Sequence, residues 1–199
     1  MDAAIKIGVL ALQGAFAEHI RVLADLGIEA PEVRLPHEIR GLNGLIIPGG
    51  ESTAIGKLME SCGLTAPLRR FAQDHAVWGT CAGMILMAKD SGPDQAAPGM
   101  MDITVERNAF GRQIDSFIEN LIVEVLKDGR QRPFPGIFIR APRLVAAHGS
   151  AQIIARLANG TAVAARQGRW LATAFHPELT RDPRFHEYFL DMVMSQQAQ

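Results

Sequence analysis

Ala76 to Lys89 reads AVWGTCAGMILMAK, and its two ends call for different secondary structure. Ala76 to Gly79 (AVWG) is a short apolar run of the kind a buried strand requires, whereas Ala82 to Lys89 (AGMILMAK) is apolar on nearly every side, as a buried helix is. Between them, Gly79-Thr80-Cys81-Ala82-Gly83 forms a glycine-x-nucleophile-x-glycine elbow with cysteine at its apex. The nucleophile of an elbow sits in a strained strand-to-helix turn, and the flanking residues must be small because larger side chains would collide across it. The free N–H groups and positive dipole end of the helix lower a thiol's pKa and can hold a developing oxyanion. A buried structural cysteine is the competing reading of this segment taken alone.

The same strand, turn and helix order recurs towards the N-terminus. Ala4 to Leu12 (AIKIGVLAL) is a nearly continuous apolar strand broken by Gln13-Gly14; Phe16, Ile20 and Leu23 then recur at helical spacing, with Gly27 as the stop. An extended piece over Ile28 to Arg34 and a buried strand over Gly44 to Pro48 follow. Ser52 or Thr53 caps a helix reaching about Cys62, and a further helix spans Leu68 to Asp74. On the C-terminal side Ser91 to Pro98 reads as a surface loop, and beyond Asp102 strand-like segments arrive without helices: Ile103 to Val105, Phe117 to Val125 and Gly136 to Ile139. Gln152 to Leu157, Thr161 to Arg166 and Arg169 to Phe175, separated by Asn159-Gly160 and Gln167-Gly168, predict an antiparallel meander. A last helix is capped by Asp182, starts at Pro183 and buries Phe185, Phe189, Met192 and Val193. The expected fold is α/β, one three-layer domain over residues 1–199 with a mainly parallel central sheet, flanking helices and an added antiparallel meander.

Composition narrows the functional classes. Hydrophobic residues at 48% and charged residues at 21% exclude a disordered or collagen-like chain. Twenty Lys+Arg against 21 Asp+Glu leave a net charge of −1, without the basic footprint of a nucleic-acid or acidic-membrane binder. Sixteen of the cations are Arg, which suits planar recognition of carboxylate or phosphate. Two cysteines are too few for a disulfide framework and point to a reducing compartment. With no leader-like N-terminus and no long apolar window, a cytoplasmic protein acting on a small molecule or another protein is expected.

A cysteine nucleophile needs a base. His176, in Phe175-His176-Pro177-Glu178, stands where the meander's last strand ends, and on an extended backbone Glu178 shares its side and can orient it. Cys81, His176 and Glu178 thus make a candidate triad, defined by roles and not by chain order. The other histidines, His19, His37, His75, His148 and His186, have no such arrangement, and no metal or cofactor is expected. Pro48-Gly49-Gly50-Glu51-Ser52 follows another strand end, and its amides together with that of Ala82 would form a two-donor oxyanion hole; a plain turn with a helix cap is the competing reading of this segment taken alone. GGESTAIGK fails as a phosphate loop, because five residues separate Gly50 from Gly56 and Leu58 follows Lys57. Cys62 falls at a helix end with the opposite dipole and reads as structural. Arg130, Arg132, Arg140 and Arg143 form a loose basic stretch, either solvated or facing an anion; Met84, Met87, Met100 and Met101 read as core.

Taken together, PGGES, GTCAG and HPE resemble the class I, triad-type glutamine amidotransferases. IGVLALQGAFAEH (Ile7 to His19), GLIIPGGESTAIGKLM (Gly44 to Met59), VWGTCAGMILMA (Val77 to Ala88), VERNAFGRQIDSF (Val105 to Phe117), GIFIRAP (Gly136 to Pro142) and HPELTRDPRFHEYF (His176 to Phe189) narrow the resemblance to the glutaminase subunits of pyridoxal 5′-phosphate synthases. The resemblance implies Cys81 as nucleophile, His176 as acid/base, Glu178 as its orienter, and Gly50 and Ala82 as oxyanion donors. It implies a glutamine site lined by Gly50, Glu51, Ser52, Arg107, Ile139 and Arg140. It also implies delivery of ammonia to a separate (β/α)8-barrel synthase, for which a 199-residue glutaminase leaves no room. The rival readings are a glutaminase subunit serving another pathway, a stand-alone cysteine hydrolase, and a redox-sensing protein of the same fold.

Overall fold

A computed structural model describes residues 4–92, 98–107 and 116–197. Parts of the expected Ser91 to Pro98 loop and of the VERNAFGRQIDSF block lie outside them. Strands β1 (Ile7–Leu10), β3 (Gly44–Ile47) and β4 (Ala76–Thr80) are buried at every residue, so both of their faces are covered. β2 (Glu32–Val33) flanks β1, and the helices of this half are α1 (Phe16–Asp25), α2 (Ser52–Ser61), α3 (Thr65–Asp74) and α4 (Ala82–Met87).

The remainder is strand-rich: β5 (Ala88–Asp90), β6 (Met101–Glu106), β7 (Ser116–Leu121), β8 (Phe134–Ile139), β9 (Arg143–Ala147), β10 (Gln152–Arg156), β11 (Ala162–Gln167) and β12 (Trp170–Thr173), then α5 (Arg184–Gln197). The main sheet runs β2-β1-β3-β4-β12-β11-β9-β6-β5, with β10 also on β11. Its first five strands are parallel, with β12 against β4 in the register Trp170↔Val77 to Thr173↔Thr80. From β12 through β11 and β9 to β6 the pairing is antiparallel, so the expected meander is built onto the parallel sheet. A two-residue hairpin with Gly168 at φ 56° turns β11 into β12. β7 and β8 form a separate antiparallel pair. One hydrophobic cluster joins the two halves, and α5 contributes Phe185, Phe189, Met192 and Val193 to it.

Several boundaries differ from the sequence expectation for identifiable reasons. The cap of α2 is Glu51, whose carboxylate accepts from the Thr53 and Ala54 N–H groups, and not Ser52 or Thr53. α3 begins at Thr65, three residues before Leu68. α4 stops at Met87 because the Leu86 and Met87 carbonyls accept from Gly99 and Met100, and Ala88–Asp90 then pairs with β6. β2 holds two residues and β7 ends at Leu121. β9, short and alanine-rich after Pro142, had no signal in the sequence.

The four adjacent parallel strands β1, β3, β4 and β12 end along the same edge of the sheet. The chain just beyond them carries Gln13, Gly50 to Ser52, Cys81 and His176 respectively. This is the edge at which open α/β sheets gather ligands.

Candidate active site

Cys81 stands between β4 and α4 at φ 49° and ψ −103°, one of three non-glycine residues with positive φ among those described. Such a conformation costs on the order of 1–3 kcal/mol and persists only where its surroundings enforce it. They do so here: the Cys81 N–H donates to the Thr173 carbonyl of β12 at 2.7 Å. A Cβ on Gly79 would lie 2.5 Å from the Gly83 backbone, and one on Gly83 would lie 2.1 Å from the Ile47 carbonyl. The two elbow glycines therefore let α4 start against β4 and cross β3. The Cys81 thiol points towards the Ile139 carbonyl, with Sγ 3.9 Å away.

His176 is pinned from two sides. Its N–H donates to Ile137 of β8 at 2.8 Å, and its Nδ1 lies 2.6 Å from Glu178 Oε1. The expected pair is thus present, but not on extended backbone: Pro177–Leu179 is a 3-10 turn, and the turn brings Glu178 back beneath the ring. Burial opposes charge on His176. Hydrogen bonds to Cys81 and Glu178, with the negative charge of both, outweigh it and push the pKa up to about 10. His176 therefore holds a proton at neutral pH, beside the Cys81 sulfur.

Gln13, Gly50, Glu51, Ser52, Cys81, Ala82, Ile85, Arg107, Ile139, Arg140 and His176 line an open cleft of about 300 Å³. Every site residue expected from the sequence except Glu178 reaches this cleft, and Glu178 lies behind His176. A Cβ on Gly49 would sit 2.4 Å from the His176 ring, so only glycine lets this backbone pass so close to the imidazole. The Gly49 carbonyl accepts from Ala15 N–H at 3.0 Å, and across its trans peptide the Gly50 N–H points the opposite way. Arg107 donates to Ser52 Oγ at 2.8 Å and Thr53 Oγ1 at 2.7 Å, tying itself to the start of α2. Glu51 is held below the usual carboxylate range, first by the backbone N–H of Thr53. The basic stretch separates: Arg130, Arg132 and Arg143 pair with Glu124, Asp182 and Glu106, while Arg140, at φ 42°, faces the cleft.

A profile of the SNO glutamine amidotransferase family matches residues 9–195. The chain belongs to the SNO glutamine amidotransferase family. This amidotransferase is 53% identical over 193 residues to the pyridoxal 5′-phosphate synthase subunit PdxT of Dehalococcoides mccartyi, covering 95% of this chain and 97% of that one. It is also 53% identical to the protein of the same name from Herpetosiphon aurantiacus, covering 94% of this chain and all of that one. A solved structure described as a glutamine amidotransferase superposes with a TM-score of 0.88 at 48% identity, over 94% of this chain and 98% of the other. PurLQS from Thermotoga maritima, at 11% identity and a TM-score of 0.72 over 95% of this chain and 99% of that one, shares the fold. These relationships set aside the redox-sensing and stand-alone hydrolase readings.

The amidotransferase site also holds residues that sequence reasoning passed over. Gln13 accepts from Glu51 N–H through Oε1 at 2.8 Å and so links the loop after β1 to the loop after β3. Its only signal was the break that Gln13-Gly14 makes in the first strand. His19, set aside with the other histidines, is fully buried with Nε2 3.4 Å from Glu178 Oε2, which corrects that reading. Cys62 takes the C-cap of α2, as expected for a structural thiol. No described helix is long and apolar enough to cross a membrane.

Proposed function

We propose that this amidotransferase hydrolyses L-glutamine through a Cys81 thioester and passes the ammonia to a separate synthase that makes pyridoxal 5′-phosphate. The observation carrying the proposal is the alignment of a strained Cys81 with a His176 that hydrogen bonds to Cys81 and Glu178 keep protonated. The Cys81 sulfur, as thiolate, attacks the side-chain amide carbon of glutamine, and the oxyanion is held by the Gly50 and Ala82 N–H groups. His176 gives its proton to the leaving nitrogen, and ammonia departs from a γ-glutamyl thioester. His176, now neutral, takes a proton from water; the resulting hydroxide releases glutamate and returns the sulfur to its starting state.

Substrate contacts divide by charge. Arg107 and Arg140 offer guanidinium groups to the α-carboxylate of glutamine, and Ser52 and Ile139 line the same cleft. Glu51 is committed to capping α2, so its contribution is to set the Gly50 and Ser52 backbone. A single glutaminase domain is supported by one core and by the family match over residues 9–195. The name shared by the relatives supports a synthase partner, which we take to be a (β/α)8 barrel combining ammonia with a pentose phosphate and a triose phosphate. Two free cysteines suit the reducing cytoplasm.

The test is incubation with glutamine, alone and with a barrel synthase and both sugar phosphates. Glutamate release and the cofactor's absorbance should both appear in the full mixture. Glutamate without cofactor would redirect the ammonia to another acceptor; neither product would overturn the reading.

A further inference from the structure

Behind the triad lies a second pair of histidines that the thioester mechanism does not use. His19 on α1 and His186 on α5 are both fully buried, as is the side chain of Glu178. His19 Nδ1 lies 2.9 Å from His186 Nε2, and His19 Nε2 lies 3.2 Å from Thr80 Oγ1 and 3.4 Å from Glu178 Oε2. The Trp78 ring packs edge-on against both imidazoles, while its own N–H is committed to Thr173 Oγ1. Glu178 Oε1 belongs to His176, and Oε2 has no closer partner: it and His186 Nδ1 are buried polar atoms without a hydrogen bond.

One assignment of protons is favoured in this cluster. An ionised carboxylate oxygen can only accept, so the ring nitrogen facing Oε2 must carry the hydrogen. His19 is then an Nε2–H tautomer that is hydrogen-bonded to Thr80 Oγ1 and turns the positive edge of the same N–H towards Glu178 Oε2, 3.4 Å away. Its bare Nδ1 must accept from His186 Nε2–H, leaving His186 Nδ1 as a lone pair. The atom left alone is thus an acceptor. The opposite assignment would bury an unpaired N–H on His186 and set a lone pair against Glu178 Oε2, losing at both ends. Burial pushes the His19 pKa well below its ordinary value, helped by His186 and His176, and burial pushes that of His186 down to about 3. Both rings are therefore neutral at physiological pH, and a neutral donor steadies Glu178 without cancelling the negative charge that His176 requires.

We propose that His19, backed by His186, is a positioning residue of the glutaminase: its Nε2–H faces the second oxygen of Glu178 at 3.4 Å and steadies the carboxylate electrostatically, so that the first oxygen stays on His176. The inference rests on the triad reading above. Without the donor, Glu178 can rotate in its pocket and His176 loses both orientation and part of its hold on the proton. The loss falls on the chemical step and on the pH at which His176 deprotonates, not on glutamine binding.

The experiment compares the wild-type full-length chain with His19→Leu and His19→Gln. Glutamine hydrolysis is measured in the presence of the synthase from neutral pH to beyond about 10, together with thermal unfolding. His19→Leu should lower kcat by ~10–100-fold, the usual cost of losing an outer-shell partner, with KM within about twofold. The alkaline limb of kcat should move to lower pH. His19→Gln, whose amide N–H can occupy the Nε2 position, should recover most of the lost kcat. A His19→Leu enzyme within about twofold of wild type and with an unmoved limb overturns the proposal, as does a glutamine variant no better than leucine. Should His19→Leu not fold, nitrogen NMR of histidine-labelled wild-type protein decides: Nε2–H tautomers at both His19 and His186 support the proposal, and an Nδ1–H or charged His19 overturns it. Failure of the triad reading looks different, as glutamine turnover that survives Cys81→Ala.

Discussion

Cys62 and Cys81 both stand at helix ends, and their surroundings differ in every respect that matters to a thiol. Cys62 closes α2 at φ −85° and ψ −1°, ordinary helical backbone, at the end where carbonyls accumulate. Cys81 opens α4 at φ 49°, with its N–H tied to β12, glycines at positions 79 and 83, and a proton-bearing histidine at hand. The lesson is that the reactivity of a cysteine here is a property of the backbone and of its neighbours. Residue type and helix adjacency are common to both.

The sharpest way to break the comparison is to remove each sulfur. Cys81→Ala should lower kcat for glutamine hydrolysis by at least ~10⁴-fold, whereas Cys62→Ala should stay within about twofold. Glutamate release measured with the synthase present checks both; comparable losses would erase the distinction. Next in size is the support beneath the elbow. Gly83→Ala places a Cβ 2.1 Å from the Ile47 carbonyl, forcing α4 off β3. A stability loss of about 3 kcal/mol is expected, with a fall in kcat as the Ala82 N–H moves; denaturant midpoints and steady-state kinetics measure the two effects. The smallest effect is also the most specific. Cys81→Gly should raise stability by about 1–2 kcal/mol by releasing backbone strain, although it abolishes activity. Cys62→Gly should lower stability by about 0.5–1 kcal/mol, because glycine only adds chain entropy where the backbone is already relaxed. Melting temperatures of the same sign for the two glycine variants would show that Cys81 is not strained.

The legible parts of the site were those written locally. The Cys81 elbow announces itself because strand, turn, helix and both glycines fall within one short stretch. His176 and Glu178 were legible as a pair, but the reason was wrong: a 3-10 turn, not strand alternation, brings them together. His19 was illegible. Its helical spacing marks only an inward-facing position, and its partners Glu178 and His186 come from the far end of the chain, 167 residues away in the case of His186. The four arginines around Phe134 to Ile139 make the same point. They read alike in sequence, and only the fold supplies carboxylates to three of them and a cleft to Arg140. In the fold, the parallel half was readable from unbroken apolar runs. The alanine-rich β9 was hidden because its place between β11 and β6 is decided by neighbours and not by its own residues.

The position of β12 has a consequence for how the protein comes into being. The last of the described strands is inserted near the centre of the sheet, between β4 and β11, and it carries the carbonyl that fixes Cys81 as well as the approach to His176 and Glu178. A nascent chain halted before Trp170 has an elbow without the Thr173 carbonyl that holds the Cys81 N–H, lacks His176 and Glu178, and has a sheet without the strand that joins β4 to β11. Under the proposed function, glutamine-cleaving capacity is therefore withheld until the chain has been made through Glu178.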